Sequence, residues 1–297
     1  MTAGGEKEKM NMRIALVTLM LFLCSGLALA ATSGTTDVSA TVSNVAPTIT
    51  AVESVAAQDP TEDSTTTVSI KFTADDQNGV SDLDDSSASV TLSKSGETSR
   101  SSTSTCSVTD ISSTSANYTC SVDMWYFDGA GTWTINVSVQ DSSAVVAYND
   151  STTFTYNTLK AIKVGPSSIS FGSVSIGQTD IGATDDPIII NNTGNVDIAV
   201  NTTSVTAYNL HGTTTTTEYI GADQFSVNIN DAADGDALIN ASAVTISNAI
   251  ISAGNHSVND GSTGQEYIYS YLETVPSGIS AQTYDTSQLG AWVIAVA

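Results

Sequence analysis

From Val68 onward the chain alternates between apolar and polar residues. Val68, Ile70 and Phe72 interleave with Ser69, Lys71 and Thr73, and Trp133, Ile135, Val137 and Val139 interleave with Thr134, Asn136, Ser138 and Gln140. A period of two sends successive side chains to opposite faces, so each segment reads as a strand with one dry and one wet face. Val90 and Leu92 continue the pattern, and Val145 to Tyr156 forms a further strand after the Asp141-Ser142-Ser143 turn. No stretch after the N-terminal apolar run carries the 3.6-residue period of an amphipathic helix. Strands of this kind bury their apolar faces by stacking sheet on sheet. Several short ones within roughly 110 residues predict a sandwich.

The N-terminus sets the compartment. Met12-Arg13 precedes an apolar run from Ile14 to Cys24, and Ala28-Leu29-Ala30 follows. A basic start, a short apolar segment and a small-residue end are the parts of a secretory signal peptide, and the run is too short to span a bilayer. Residues 1–30 are therefore read as a cleaved signal, with Met10 or Met12 as the more ordinary start. The rest is expected at the cell surface or outside the cell. The C-terminal run from Ala291 to Ala297 is too short for an anchor, so no transmembrane anchor is expected in the mature chain.

The formal charge is -23 with eight Lys and Arg in all. Those beyond the signal are Lys71, Lys94, Arg100, Lys160 and Lys163. Nucleic acid is excluded as a partner, because phosphate binding requires a basic footprint. The acidity fits either solubility at high salt or loops that hold divalent cations. Cys24 falls in the signal, which leaves Cys106 and Cys120 in an oxidising compartment. With a hairpin turn at Ser112 to Thr114, Cys106 faces Cys120 and Val108 faces Tyr118, with Val122 on the same face. A disulfide there closes a loop of about 15 residues, worth roughly 3 kcal/mol in the chain-entropy account.

Residues 31–46, rich in Thr, Ser, Val and Ala, read as a linker. Residues 47–160 form a first β domain with the disulfide, and residues 164–297 a second. In the second, strands are expected at Ile169 to Ile176, Ile188 to Ile190, Val196 to Val200, Phe225 to Asn228, Ala243 to Ile251, Tyr267 to Leu272 and Ala291 to Val296. Asn191-Asn192-Thr193-Gly194-Asn195 is a strong turn signal.

Phe72 to Asp82, with Asp75-Asp76-Gln77-Asn78-Gly79, resembles the acidic loop of immunoglobulin-like domains in bacterial and archaeal surface proteins. Gly131 to Asp141 resembles a late strand of the same class. Ser168 to Val174 with Asn192-Thr193-Gly194-Asn195-Val196 resembles the ASPM-SPD2-Hydin-type sandwiches, and the Asn-Thr-Gly-Asn turn is similar to that of fibre-forming TasA-like sandwiches. The resemblances imply two consecutive antiparallel β-sandwiches with a role in surface structure or adhesion.

Asp75, Asp76, Asn78, Asp82, Asp84 and Asp85 crowd one loop and form the candidate calcium site, since calcium takes six or more oxygen ligands at flexible spacing. The spacing is not that of an EF-hand: with Gly79 at the loop glycine, Ala74 falls on the first ligand. The plain alternative is a solvated turn that uses Asn78-Gly79. Asp231, Asp234 and Asp236 form a thinner second cluster. Glycosylation sequons occur at Asn117, Asn136, Asn149, Asn191, Asn201, Asn240 and Asn255. Thr213 to Thr217 is either an exposed segment or a site of O-glycosylation. Trp125-Tyr126-Phe127 either stacks on sugars or packs at a strand end. His211 and His256 lie in no catalytic motif. The expectation is a non-enzymatic envelope protein that contacts itself or other envelope proteins. The alternatives are a carbohydrate- or calcium-binding module, and then a secreted hydrolase built on a carboxylate pair.

Overall fold

The computed structural model describes residues 35–102 and 104–297. The expected signal, Met1 to Ala30, and the first residues of the expected linker lie outside the described residues. The described chain is nearly all β. Its helical turns are three short 3-10 segments, Val80–Asp82, Ala222–Gln224 and His256–Val258.

Eight strands build the N-terminal half: β1 (Thr48–Val52), β2 (Thr65–Asp75), β3 (Leu83–Ser93), β4 (Arg100–Ser101), β5 (Ser107–Asp110), β6 (Ser115–Trp125), β7 (Gly131–Asp141) and β8 (Val146–Tyr156). They form two four-stranded sheets, ordered β1-β2-β6-β5 and β4-β3-β7-β8. The longest antiparallel pair, β2 with β6, keeps unbroken register from Thr65↔Trp125 to Asp75↔Ser115. The alternating residues of both sheets meet in one core. Val68, Ile70 and Phe72 of β2 and Tyr118 and Val122 of β6 face Val90 and Leu92 of β3 and Trp133, Ile135 and Val137 of β7. Each such side chain contributes about 1.5–3 kcal/mol on burial. Phe72 stacks on Tyr118 at 5.0 Å between ring centroids.

The expected hairpin forms, with Val108 opposite Tyr118 and a disulfide joining Cys106 to Cys120. Val108 lies on the outermost strand of its sheet and stays exposed, while both cysteines are buried.

The C-terminal half uses shorter pieces: β9 (Ile162–Gly165), β10 (Thr179–Gly182), β11 (Ile188–Asn192), β12 (Thr203–Thr206), β13 (Leu210–Gly212), β14 (Tyr219–Ile220), β15 (Phe225–Asn228), β16 (Asp236–Ala237), β17 (Ala243–Thr245), β18 (Gln265–Thr274), β19 (Tyr284–Asp285) and β20 (Val293–Val296). The largest sheet runs β16-β15-β18-β11-β9, and β10 also pairs with β18. Two small sheets, β17-β12-β20 and β14-β13-β19, complete it. A second core gathers Ile190, Ile198, Phe225, Val227, Ile268 and Leu272.

Three expected strands are corrected here. Residues 167–176 are not a strand. Ile169, Phe171 and Val174 still pack on the core, and Phe171 meets Phe225 at 5.3 Å. The alternation thus serves packing without a ladder partner. The segment covers a cleft of about 970 Å³ that is also lined by Leu210, Tyr284 and Trp292. Val196 to Val200 reduces to one isolated bridge, Ile198↔Ile251. Of Ala243 to Ile251 only β17 pairs as a strand.

The two halves join through the Asn192–Asn195 turn, which is buried. The Asn192 carboxamide accepts from the Gly194 N–H at 3.0 Å and donates to the Val196 carbonyl at 2.8 Å. Thr193 donates its N–H to the Ala161 carbonyl at 3.0 Å and its hydroxyl to Glu62 at 2.8 Å. Asn195 accepts from the Leu159 N–H at 2.7 Å and donates to the carbonyls of Asn157 and Asp128 at 2.8 and 3.2 Å. Gly194 sits so close to the connecting chain that a Cβ there would lie 2.2 Å from the Leu159 carbonyl oxygen. The obstacle is backbone on both sides. Gly194→Ala is therefore expected to cost about 2–4 kcal/mol in urea unfolding; a change below about 0.5 kcal/mol would mean that the junction does not depend on this approach. Replacing Cys106 and Cys120 together by serine is expected to cost about 2–4 kcal/mol in the same measurement.

Candidate functional site

The N-terminal half ends, at the pole away from the junction, in a convergence of carboxylates. β2 delivers Asp76 just past its last residue. The turn that follows is tight: Asn78 N–H donates to Asp76 Oδ1 at 2.7 Å, and Gly79 takes φ 112°, which suits glycine. A 3-10 turn then brings Asp82 back. β3 begins at Leu83 opposite Asp141 of β7, so Asp82 lies beside Asp141. Ser142 N–H donates to the Asp82 carbonyl at 2.7 Å, and the Ser142 hydroxyl donates to the Asp82 carboxylate. Carboxylate oxygens of Asp76, Asp82 and Asp141 lie within 4.8 Å of one another.

Asp76 is 0% exposed and Asp141 1%. Asp76 Oδ2 is buried with no hydrogen-bond partner. Burial lifts the Asp76 carboxyl above its ordinary range. The Asn78 N–H pulls it down, and the charges of Asp82, Asp141 and Asp75 push it further up. Asp141 shifts the other way. The Asn44 carboxamide, at 2.8 Å from Oδ2, holds it low against the cost of burial. The N–H groups of Ser143 and Val145 add to this at 2.9 and 2.8 Å. The chain leading into β1 is tied to the same pole, since Val45 N–H donates to Asn78 Oδ1 at 2.7 Å. Hard oxygen donors gathered this closely can hold a divalent cation.

The structure therefore regroups the six-residue candidate. Asp76 and Asp82 converge, and Asn78 braces the turn. Asp75 turns to the hydroxyls of Thr114 and Ser115. Asp84 bonds Ser86 and Gln140. Asp85 accepts from the Tyr118 hydroxyl at 2.7 Å. The missing member was Asp141, distant in sequence; its signal was its place at the end of the Gly131 to Asp141 strand.

In the C-terminal half, Asp234 meets Asp180 and Glu273 within 4.8 Å at the surface. Asp231 instead accepts from the Tyr271 hydroxyl, and Asp236 from Ser247. Among the sequons, Asn117, Asn201 and Asn240 are exposed, and Asn136, Asn149 and Asn255 are half-buried. Asn191 accepts from Gln265 at 2.7 Å and its Thr193 is 0% exposed, so a glycan at Asn191 would require the junction to open. Thr213 to Thr217 connects β13 to β14, with Gln282 bonding the N–H groups of Thr214 and Thr215.

The aromatic triplet divides. Tyr126 is buried and packs on His256 at 5.6 Å. Trp125, 42% exposed, stacks on Phe127 at 5.7 Å. Arg100 approaches that Phe127 ring and forks onto buried Asp128 at 2.9 and 3.0 Å. His256 Nε2 lies 2.7 Å from Asp63 Oδ1, and Lys163 lies 3.4 Å from Oδ2. Burial works against the charge of Asp63, but these two partners prevail and lower its pKa.

No family model matches the chain, and no curated protein matches it. Among solved structures it is similar to the secreted serine protease VesC from Vibrio cholerae, at 13% identity and a TM-score of 0.20 over 80% of this chain. The chain spans about half of that protein, 51% of its length. A likeness of this size carries no argument. The immunoglobulin-like, ASPM-SPD2-Hydin-type and TasA-like resemblances rest on their quoted motifs alone.

Asp186 offers a test of buried charge in the C-terminal half. Burial pushes its carboxyl up to about 6, against the Ser270 N–H that it accepts at 2.7 Å. A folded-state pKa above the ordinary 3.8 means that the folded chain binds the proton more tightly. This group's destabilising effect is full above pH of about 6 and fades as the pH falls toward about 4. Asp186→Asn keeps an acceptor for Ser270. It is expected to raise stability at pH 7 by about 1–2 kcal/mol after solvent screening, and to change little near pH 4, in paired thermal unfolding with the wild type.

Proposed function

We propose that this protein is an exported, non-enzymatic component of the cell envelope, built as two consecutive β-sandwich domains, with a structural or adhesive role. The observation that carries the reading is the junction. Asn192 to Asn195 closes on the connecting residues Asn157 to Ala161 with buried and satisfied polar groups, so the two domains act as one stiff body. Stiffness of this kind suits a part that holds spacing or bears load. The Cys106–Cys120 disulfide supports an oxidising compartment outside the cytoplasm. Among the described residues no helix is long and apolar enough to cross a membrane.

The expected contacts are with other envelope proteins or with further copies, through exposed sheet edges. β5 presents Ser107 to Asp110 without cover, and β8 presents Val146 and Tyr148, 55% and 71% exposed. A second reading, a carbohydrate-binding module, is favoured by the Trp125 face stacked on Phe127. Negative-stain electron microscopy of the chain from Ala31 onward is expected to show filaments, sheets or lateral arrays. Dispersed single particles that bind polysaccharide, with binding lost in Trp125→Ala, would replace the structural reading with the second one.

A further inference from the structure

We infer that Asp76, Asp82 and Asp141 form a calcium site at the pole of the first domain, and that the ion clamps the Asn44–Val45 strap to that pole. The inference does not depend on the envelope reading. Three carboxylates from three chain segments meet here: one after β2, one before β3 and one ending β7. Proximity of acids alone would not point to a ligand. The second observation is Asp76 itself, which is 0% exposed and has a carboxylate oxygen with no partner among the described residues. A buried, unpaired carboxylate oxygen is costly, and here it faces two further carboxylates instead of a cation. No Lys, Arg or His pairs with any of the three among the described residues.

The donor set selects the ion. Its oxygens are hard and anionic, with no nitrogen or sulfur ligand, which excludes the preferences of zinc and copper. Three carboxylates with water completing the shell match the six to eight oxygens of calcium and its tolerance of irregular geometry, whereas magnesium requires a near-ideal octahedron. Asn44 already touches Asp141 through its amide nitrogen. Turning the carboxamide over would present its oxygen to the ion, because the two ends of an amide are nearly isosteric. The strap would then be held by the ion as well as by the Val45–Asn78 bond.

The second acidic group, with Asp180 and Asp234 exposed and Glu273 half-buried, is the comparison site, tested through Asp234. The chain, stripped with chelator, is titrated with Ca²⁺ and with Mg²⁺ by calorimetry and by thermal unfolding. Ca²⁺ at a hundredfold excess over Kd is expected to raise Tm by roughly 5–10 °C, with Mg²⁺ well below that. Asp76→Asn and Asp82→Asn are expected to abolish the calcium-dependent rise while leaving Tm in chelator equal or higher, since each removes one of three crowded charges. Asp234→Asn is expected to leave the rise intact. Amide exchange at Val45 is expected to slow when calcium binds. The proposal is overturned if Ca²⁺ at millimolar concentration neither binds nor moves Tm, if the Asp76 and Asp82 variants keep the full rise, or if Asp234→Asn removes it.

Discussion

Burying a carboxamide is costly unless each of its polar atoms finds a partner. Asn195 finds one for its oxygen and two for its nitrogen, all on backbone groups of Asp128, Asn157 and Leu159. Those groups belong to the β6–β7 turn and the outgoing chain of the N-terminal half. The remaining residues of the turn depend on this arrangement. Asn192 holds the Gly194 N–H, Thr193 reaches Glu62, and Gly194 leaves out the side chain that would strike Leu159. Without this satisfied amide, the turn would lose three of the hydrogen bonds that tie it to the first half and its outgoing chain.

The N-terminal half was readable in outline because its strands are long and one-sided. Alternation over Val68 to Phe72 and over Trp133 to Val139 leaves one register that keeps every apolar side chain dry, and the cysteine spacing fixed the β5–β6 pairing. The C-terminal half was less readable because its pieces are short. In Ile169 to Val174 the apolar residues alternate to reach the core, yet no neighbouring strand offers a ladder, and period alone does not distinguish the two cases. The acidic site shows the matching limit. Asp75-Asp76 and Asp84-Asp85 are adjacent pairs in sequence, but the pleat points successive residues to opposite faces. Only Asp76 and Asp82 of the loop reach Asp141, and that partner is supplied by the β3–β7 register.

Charge is distributed unevenly along the first half. Of the five basic residues beyond the expected signal, Arg100 and Lys163 are paired at the junction with Asp128 and Asp63, and Lys160 reaches the Ala297 carbonyl. The opposite pole has converging acids and hydroxyl or amide donors. Cationic side chains neutralise carboxylates where the halves meet. Where the chain leads in at Asn44, neutral dipoles do this work and leave Asp76 short of a partner. A surface this acidic is softened by salt, but a carboxylate with no exposure is screened far less.

The contact between Lys160 and Ala297 has a mechanical consequence. β7 runs its whole length, about 33 Å, from the junction to the acidic pole. Asn44 lies at that pole, while β20, after pairing with β12, brings Ala297 back to the linker residue Lys160. A pull applied between Asn44 and Ala297 would therefore run along the first half and reach the second only where it is already fastened. The C-terminal half would take up that load only through the β12–β20 pairing and the Lys160 contact, while the longer path runs through the half stitched by the disulfide.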